Sequence, residues 1–299
     1  MALPGGVSKA SGARRVIVTR PAEDAQAWVS KLHHAGIHAQ ALPLIEIVAV
    51  SDCADVLAVR QAIRHSGSYC AVMFVSANAV RHFLGLLSAS NMPVAQVKLA
   101  LAAPENIANQ WPHRLRFLAP GPGTVAALLA AGVPAGQIDA PLPEAAQFDS
   151  EALWQVIGQR DWQAGRVLVV RGKGDAADTS AGSGRDWLAQ QWQASGAAVD
   201  VVSSYQRRAP DLTAHHIELA KAAGGDGSVW LFSSSAAVAN LLGQPGLQGF
   251  SWQRAVAIAT HPRIEACMRA AGWGVVRVSR PALADIVKAV ASIESQGHE

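Results

Sequence analysis

Apolar and polar positions along the chain follow two periods. Residues 16–19, 69–75, 166–171, 199–205, 229–232, 255–259 and 275–278 form short apolar runs. Such runs suit strands buried on both faces. Residues 39–48 form another run, interrupted at Pro43, and 97–102 a further one. Between them, apolar residues recur at helical spacing. One helix is predicted over 24–35, with Trp28, Val29 and Leu32 on one side. Others are predicted over 76–87, 185–195, 235–242, 262–271 and 283–293, and one opens at Gly121-Pro122-Gly123-Thr124. Gly36, Gly132, Gly196 and Gly272 stand just past helical patterns, where glycine stops a helix. Strands alternating with helices predict an α/β fold with parallel sheets.

Two strand–helix junctions echo each other. Phe74-Val75-Ser76-Ala77-Asn78-Ala79-Val80 resembles Phe232-Ser233-Ser234-Ser235-Ala236-Ala237-Val238, and both place a hydroxyl where strand meets helix. With 299 residues against about 100–200 per domain, the echo predicts two similar lobes, each a parallel sheet flanked by helices. Ligands of such sheets sit beyond the carboxyl ends of the strands, so two lobes offer two such edges to one cleft. Residues 174–184, GDAADTSAGSG, break the alternation. They read as a flexible loop, either an inert insertion or a mobile cover.

Composition narrows the function classes. Half the residues are hydrophobic and 16% are charged, a globular balance. Lys plus Arg less Asp plus Glu is 25 − 22 = +3, with no long basic run. That excludes a general nucleic-acid coat and leaves an anionic ligand to local groups. Cys53, Cys70 and Cys267 show no CxxC pair, so neither a disulfide framework nor a zinc site is expected. Their apolar or helical contexts predict buried, reduced thiols. No run approaches the ~20 apolar residues of a membrane span, and the first fifteen residues lack the apolar core of a signal peptide. A cytosolic protein is expected, with no nucleic-acid or membrane partner and a disordered tail over 1–14.

Candidate chemistry gathers at strand ends. There is no GxxxxGK[ST], and Gly121-Pro122-Gly123 lacks the rest of a dinucleotide fingerprint. It reads better as a helix N-terminus with free amides for an anion, Thr124 serving as cap or first-turn donor. The pairs His33-His34 and His215-His216 lack HExxH spacing and read as solvated helix surface. His261 stands in Thr260-His261-Pro262-Arg263. There Thr260 is either the helix cap or, with His261, a ligand contact. Thr19, Ser76, Thr124, Ser233, Ser235 and Thr260 each stand at a strand–helix junction. Each taken singly reads as a helix cap; together they describe edges rich in hydroxyls and amides, suited to placing an acidic, reactive substrate. Arg20, Arg171, Arg185 and Arg207-Arg208 stand nearby, and guanidinium forks fit carboxylates. Tyr205 is one of only two tyrosines. It reads either as a half-buried ring or as a phenol acting as hydrogen-bond or proton donor.

These residues together resemble the uroporphyrinogen-III synthase family. The opening Val16-Ile17-Val18-Thr19-Arg20-Pro21, then Pro43-Leu44-Ile45-Glu46-Ile47, is similar to that family's start. Phe74–Val80 resembles its F-T-S-x-x-A-V segment, with Val75 where the family has threonine. Val169-Val170-Arg171-Gly172 with Arg185-Asp186-Trp187-Leu188 resembles R-G-x-x-G-R-x-x-L, here split by the 174–184 insertion. Gly196-Ala197-Ala198-Val199 with Tyr205-Gln206-Arg207-Arg208, Phe232–Val238, and Thr260-His261-Pro262-Arg263-Ile264 continue the match in order over about residues 15–290.

The resemblance implies an enzyme that cyclises the linear tetrapyrrole hydroxymethylbilane to uroporphyrinogen III. The terminal ring is inverted and water is lost, with no cofactor and no metal. The implied route runs through an azafulvene cation and a spiro intermediate. The resemblance also implies two α/β lobes joined by a two-strand hinge, one of residues 1–44 plus 207–299 and an inserted one of 45–206. By motif, Tyr205 is the catalytic proton donor. Thr19, Arg20, Ser76, Asn78, Thr124, Arg171, Gly172, Ser233, Ser235, Thr260 and His261 bind substrate. A monomer is expected, with hand-over of substrate from the preceding pathway enzyme. The alternatives are a hinged two-lobed binding protein without turnover, and a nicotinamide oxidoreductase, which the missing glycine fingerprint disfavours.

Overall fold

The structure, a computed structural model, describes residues 14–88, 114–174 and 183–296. The expected tail, the strand expected at 97–102 and most of the 174–184 loop lie outside the described residues. In chain order the elements are β1 (Val16–Val18), α1 (Ala22–His34), β2 (Ala39–Ala41), β3 (Glu46–Ala49), α2 (Cys53–Arg64), β4 (Ala71–Phe74), α3 (Ala77–Ser88), β5 (Arg116–Leu118), α4 (Pro122–Ala130), β6 (Ile138–Asp139), α5 (Ser150–Ile157), β7 (Arg166–Lys173), α6 (Ser183–Ala194), β8 (Ala198–Arg208), α7 (Ala214–Ala223), β9 (Val229–Phe232), α8 (Ser235–Leu242), β10 (Val256–Ala259), α9 (Pro262–Ala270), β11 (Val275–Val278) and α10 (Leu283–Gln296).

Helix ends follow local chemistry. Asp52, Asp149, Thr213 and Ser234 each accept a backbone N–H of the first turn of α2, α5, α7 and α8. They thereby satisfy donors that the helix leaves unpaired. At the end of α1, Gly36 has φ +79°, a conformation that suits glycine. Gly36 N–H donates to the His33 carbonyl and Ile37 N–H to that of Leu32. This is a Schellman closure, and Gly132, Gly196 and Gly272 take the same backbone sign after α4, α6 and α9.

The chain forms two compact units, Met1–Ile45 with Ala209–Glu299, and Glu46–Arg208. In the first, strands run in the order β11-β10-β9-β1-β2, all pairs parallel. Val16, Val18, Val229, Leu231 and Ile258 on one face pack with Ala25 and Leu32 of α1 and Ile286 and Val290 of α10. On β9, Trp230 and Phe232 stack at 5.8 Å and meet Trp273 edge-on.

In the second unit the order is β3-β8-β7-β4-β5-β6. Val72, Phe74, Phe117, Leu168 and Val170 pack with α2, α3 and α4. Ala71, Met73, Leu118, Val167 and Val169 pack with α5 and α6. This strict alternation puts helices on both faces, as the continuous apolar strands require. β3 runs antiparallel to β8, so this sheet is parallel except at that edge.

Two expectations are corrected. The run at 39–48 is not one strand. Pro43 has no N–H for a ladder, and β2 and β3 belong to different sheets. The cysteines are not buried: Cys53, Cys70 and Cys267 are all exposed. Cys53 opens α2, Cys70 precedes β4, and Cys267 lies off the inward Ile264–Met268 stripe of α9. Helices α2 and α5 and the short strands β5 and β6 are found where the sequence pattern marked no element.

Candidate functional site

In an open parallel sheet the ligand edge lies where strand order reverses. In the second unit that point is between β4 and β7, since β5 and β6 continue from β4 on one side and β8 from β7 on the other. β4 ends at Phe74, paired with Val170. Ser76 follows and precedes α3, and its Oγ accepts the Ala79 N–H at 3.1 Å. Oγ also lies 3.0 Å from the Tyr205 Oη, and either hydroxyl can donate.

Tyr205 reaches this point through a bulge. Arg171 pairs with Ser203 but Gly172 pairs with Tyr205, leaving Ser204 extra on β8. In a regular strand, residues 202 and 205 face opposite sides. The extra residue reverses that parity. Val202 and Tyr205 therefore both join the face packed with α2, α3 and α4, and Ser204 Oγ donates to the Ala79 carbonyl at 3.3 Å. The phenol ring lies over Gly172, where a Cβ would collide with Cζ and stand 2.8 Å from Oη. The His82 ring of α3 is 5.6 Å away, tilted. Tyr205 is 4% exposed, so the ring is buried rather than half-buried.

The other expected residues of this unit sit on the same edge with different engagements. Asn78 is buried and its Oδ1 accepts from Arg81. Thr124 is buried in the first turn of α4, whose N-cap is Gly121 and which has Pro122 at its start. Thr124 is therefore not the cap. Arg171 lies 3.9 Å from Asp186, both well exposed, which contributes little.

In the first unit the order reverses between β1 and β9. Thr19, just past β1, is buried and its hydroxyl donates to the Leu231 carbonyl at 2.8 Å. Arg20 stacks over Trp28 at 4.7 Å, and its Nε is buried with no hydrogen-bond partner. Burial holds its guanidinium below the ordinary arginine value, with Asp24 opposing. After β9 the cap is Ser234, accepting from Ala236 N–H, with Ser233 and Ser235 on either side of it. After β10 the cap is His261, whose Nδ1 accepts from Arg263 N–H at 3.1 Å. Thr260, buried, is held by its own N–H to the Phe232 carbonyl. The cap reading of Thr260 is thus corrected to His261.

The other tyrosine sits at the opposite, amino edge of the second sheet. Tyr69 donates to Asp200 at 2.7 Å, and Arg166 bonds the same carboxylate oxygen at 2.8 Å. Burial, reinforced by Asp200, pushes the Tyr69 phenol up to about 12. A cavity of about 600 Å³ lined by Tyr69, Cys70, Arg114 and Arg166 opens there, away from the strand ends where ligands of parallel sheets bind.

Sequence reasoning missed the Ala79 amide, His82 and Ser234. The approach of His82 to Tyr205 required the bulge to be known, whereas the Ala79 amide is the local partner of a capping hydroxyl three residues earlier. Ser234 was signalled by lying one residue before the helical pattern of α8. Among the described residues no group of three or more His, Cys, Asp or Glu is placed to hold a metal ion. No described helix is long and apolar enough to cross a membrane.

Residues 26–288 match the family model described as uroporphyrinogen-III synthase HemD. Among solved structures the chain is similar to a mutant uroporphyrinogen III synthase from the extremely thermophilic bacterium Thermus thermophilus. That match has 17% identity and a TM-score of 0.52, covering 95% of this chain and 100% of that one. It is also similar to uroporphyrinogen-III synthetase from Helicobacter pylori, with 14% identity, a TM-score of 0.47, and 94% and 99% of the two chains covered. At such identity the Thermus likeness speaks to the α/β fold.

Proposed function

This chain belongs to the uroporphyrinogen-III synthase family, and from that premise we propose how its own residues carry the reaction. The enzyme cyclises hydroxymethylbilane to uroporphyrinogen III in heme biosynthesis, inverting the terminal pyrrole ring and releasing water. The family membership does not favour a binding protein without turnover.

Tyr205 donates the proton to the leaving hydroxyl. The observation that carries this reading is the phenol held 3.0 Å from Ser76 above a strand position that lacks a side chain. An acid that acts once on a reactive substrate must be aimed, and a ring fixed between Gly172 and His82 is aimed. Proton transfer to the departing oxygen lets it leave as water, and the azafulvene cation forms. The terminal ring then attacks through its substituted carbon.

The polycarboxylate substrate is held by neutral donors more than by charge. Thr124, Ser233, Ser235 and Thr260 contribute hydroxyls or amides, Asn78, Gly172 and His261 belong to the same edges, and Thr19, whose hydroxyl already donates to the Leu231 carbonyl, braces the end of β1. The first-turn amides of α3, α4, α8 and α9 favour anions. Arg20 and Arg171 supply cations for carboxylates. The lobe division at 1–44 plus 207–299 and 45–206, a monomer in the cytosol, and hand-over of the unstable substrate by the preceding pathway enzyme are parts of the same proposal.

Replacing Tyr205 by Phe removes the acid and keeps the ring. Turnover of hydroxymethylbilane is expected to fall by about 10²–10⁴-fold with an unchanged circular dichroism spectrum. An unchanged rate would reduce Tyr205 to a packing residue.

A further inference from the structure

We propose that Ser76 is a positioning residue that acts through Tyr205, relaying an amide of the α3 N-terminus to the phenol oxygen instead of contacting the substrate. The inference rests on Tyr205 being the proton donor.

The donor count leads there. A serine hydroxyl has one hydrogen to give. Ser76 Oγ already accepts the Ala79 N–H at 3.1 Å, and the Tyr205 Oη lies 3.0 Å away. If Tyr205 donated to Ser76, its proton would be withheld from the leaving group. With Ser76 donating, the chain runs Ala79 N–H to Ser76 Oγ–H to Tyr205 Oη, and the phenol proton is free to leave. A carboxylate accepts hydrogen bonds only, so a Ser76 whose single proton serves Oη has none for a substrate acetate or propionate.

The reacting step balances without any other participant. The substrate C–O bond breaks and its electron pair goes with the oxygen. The phenol proton joins that oxygen to make water, the pair of the O–H bond stays on Oη, and the substrate is left as the azafulvene cation. The phenolate then accepts the Ser76 O–H in a charge-assisted bond, about twice as strong as a neutral one. Behind it stand the Ala79 amide and the positive end of α3. The proton lost when the new pyrrole carbon re-aromatises restores the phenol. His82 of α3 is the titratable side chain facing the ring. Arg171 and Lys173 flank Gly172 on β7, and Lys173 is held by Asp55 of α2 at 2.9 Å.

The experiment measures kcat, KM and the pH profile of kcat with hydroxymethylbilane for Ser76→Ala, Ser76→Gly, Ser76→Thr, Tyr205→Phe and the Ser76→Ala/Tyr205→Phe pair. Glycine retains much of the cap that alanine loses, so one hydroxyl-free variant remains folded. Loss of the hydroxyl is expected to lower kcat about tenfold, equivalent to one bond's share of the barrier, with KM within about twofold. The alkaline limb moves to higher pH because the phenol becomes a weaker acid. Threonine restores the rate, and the second substitution adds nothing to Tyr205→Phe. A raised KM at unchanged kcat, an unmoved alkaline limb, or additive losses in the pair would each overturn the relay while leaving Tyr205 the acid. An unchanged rate in Tyr205→Phe would overturn both.

Discussion

Gly172 and Tyr205 are one feature split between two strands. The glycine is required by space: a Cβ there meets the phenol ring, which is itself bounded by Ser76 and His82. Gly172→Ala is therefore expected to displace the phenol from Ser76. It should cost about 1–3 kcal/mol in overpacking, seen as a lowered urea midpoint, together with a fall in turnover. Retention of full activity and stability would show that the ring has room. The sequence revealed Tyr205 by rarity and by its place after an apolar run. It did not reveal which face the ring takes, because a bulge leaves no mark in the hydrophobic pattern. Nor did it show that Ser76 and Tyr205 touch across 129 residues of chain.

At the scale of elements, the long apolar strands and glycine-stopped helices were legible, because their signals are local. The short edge strands β5 and β6, of three and two residues, were not. β6 draws part of its stability from charge. Its Asp139, 8% exposed, is bonded by both Arg116 and Arg160. Burial alone would raise that carboxyl, but the two guanidinium bonds outweigh it and hold it below the usual value. A depressed carboxylate stabilises the fold above the ordinary range near pH ~4 and loses that contribution as pH falls through its folded value. Asp139→Asn is expected to lower stability at pH 7 by about 1–2 kcal/mol, because the partly exposed arginines screen the pair. It should also flatten the acid limb of Tm against pH below about 4. A parallel acid limb would assign the pH dependence to other carboxylates.

The hydroxyl runs at helix starts divide by role. Ser234→Ala removes the cap of α8 and should cost about 1 kcal/mol of stability. Ser233→Ala and Ser235→Ala should leave Tm nearly unchanged and raise KM. If Ser235→Ala destabilises as much as Ser234→Ala, the hydroxyl is structural.

For the whole molecule, the net charge of +3 suits the proposed holding of the substrate by amides and hydroxyls more than by charge. Long-range steering is weak at such a charge, so KM for hydroxymethylbilane should rise only a few-fold between about 0.05 and 0.5 M salt. The two sheets and the order of motifs were readable because their signals extend over most of the chain, whereas the reversal points were not, since strand order leaves no mark in the local pattern. The division of labour among strand-end hydroxyls was not, since each carries the same local signature as a cap. Every residue role proposed for this chain serves one reaction, closure of hydroxymethylbilane with inversion of its terminal ring. The direct measurement is incubation of the purified protein with hydroxymethylbilane, followed by chromatographic separation of the oxidised product isomers. The account predicts isomer III in excess over isomer I, formed faster than spontaneous closure. Isomer I alone, at the spontaneous rate, would contradict it.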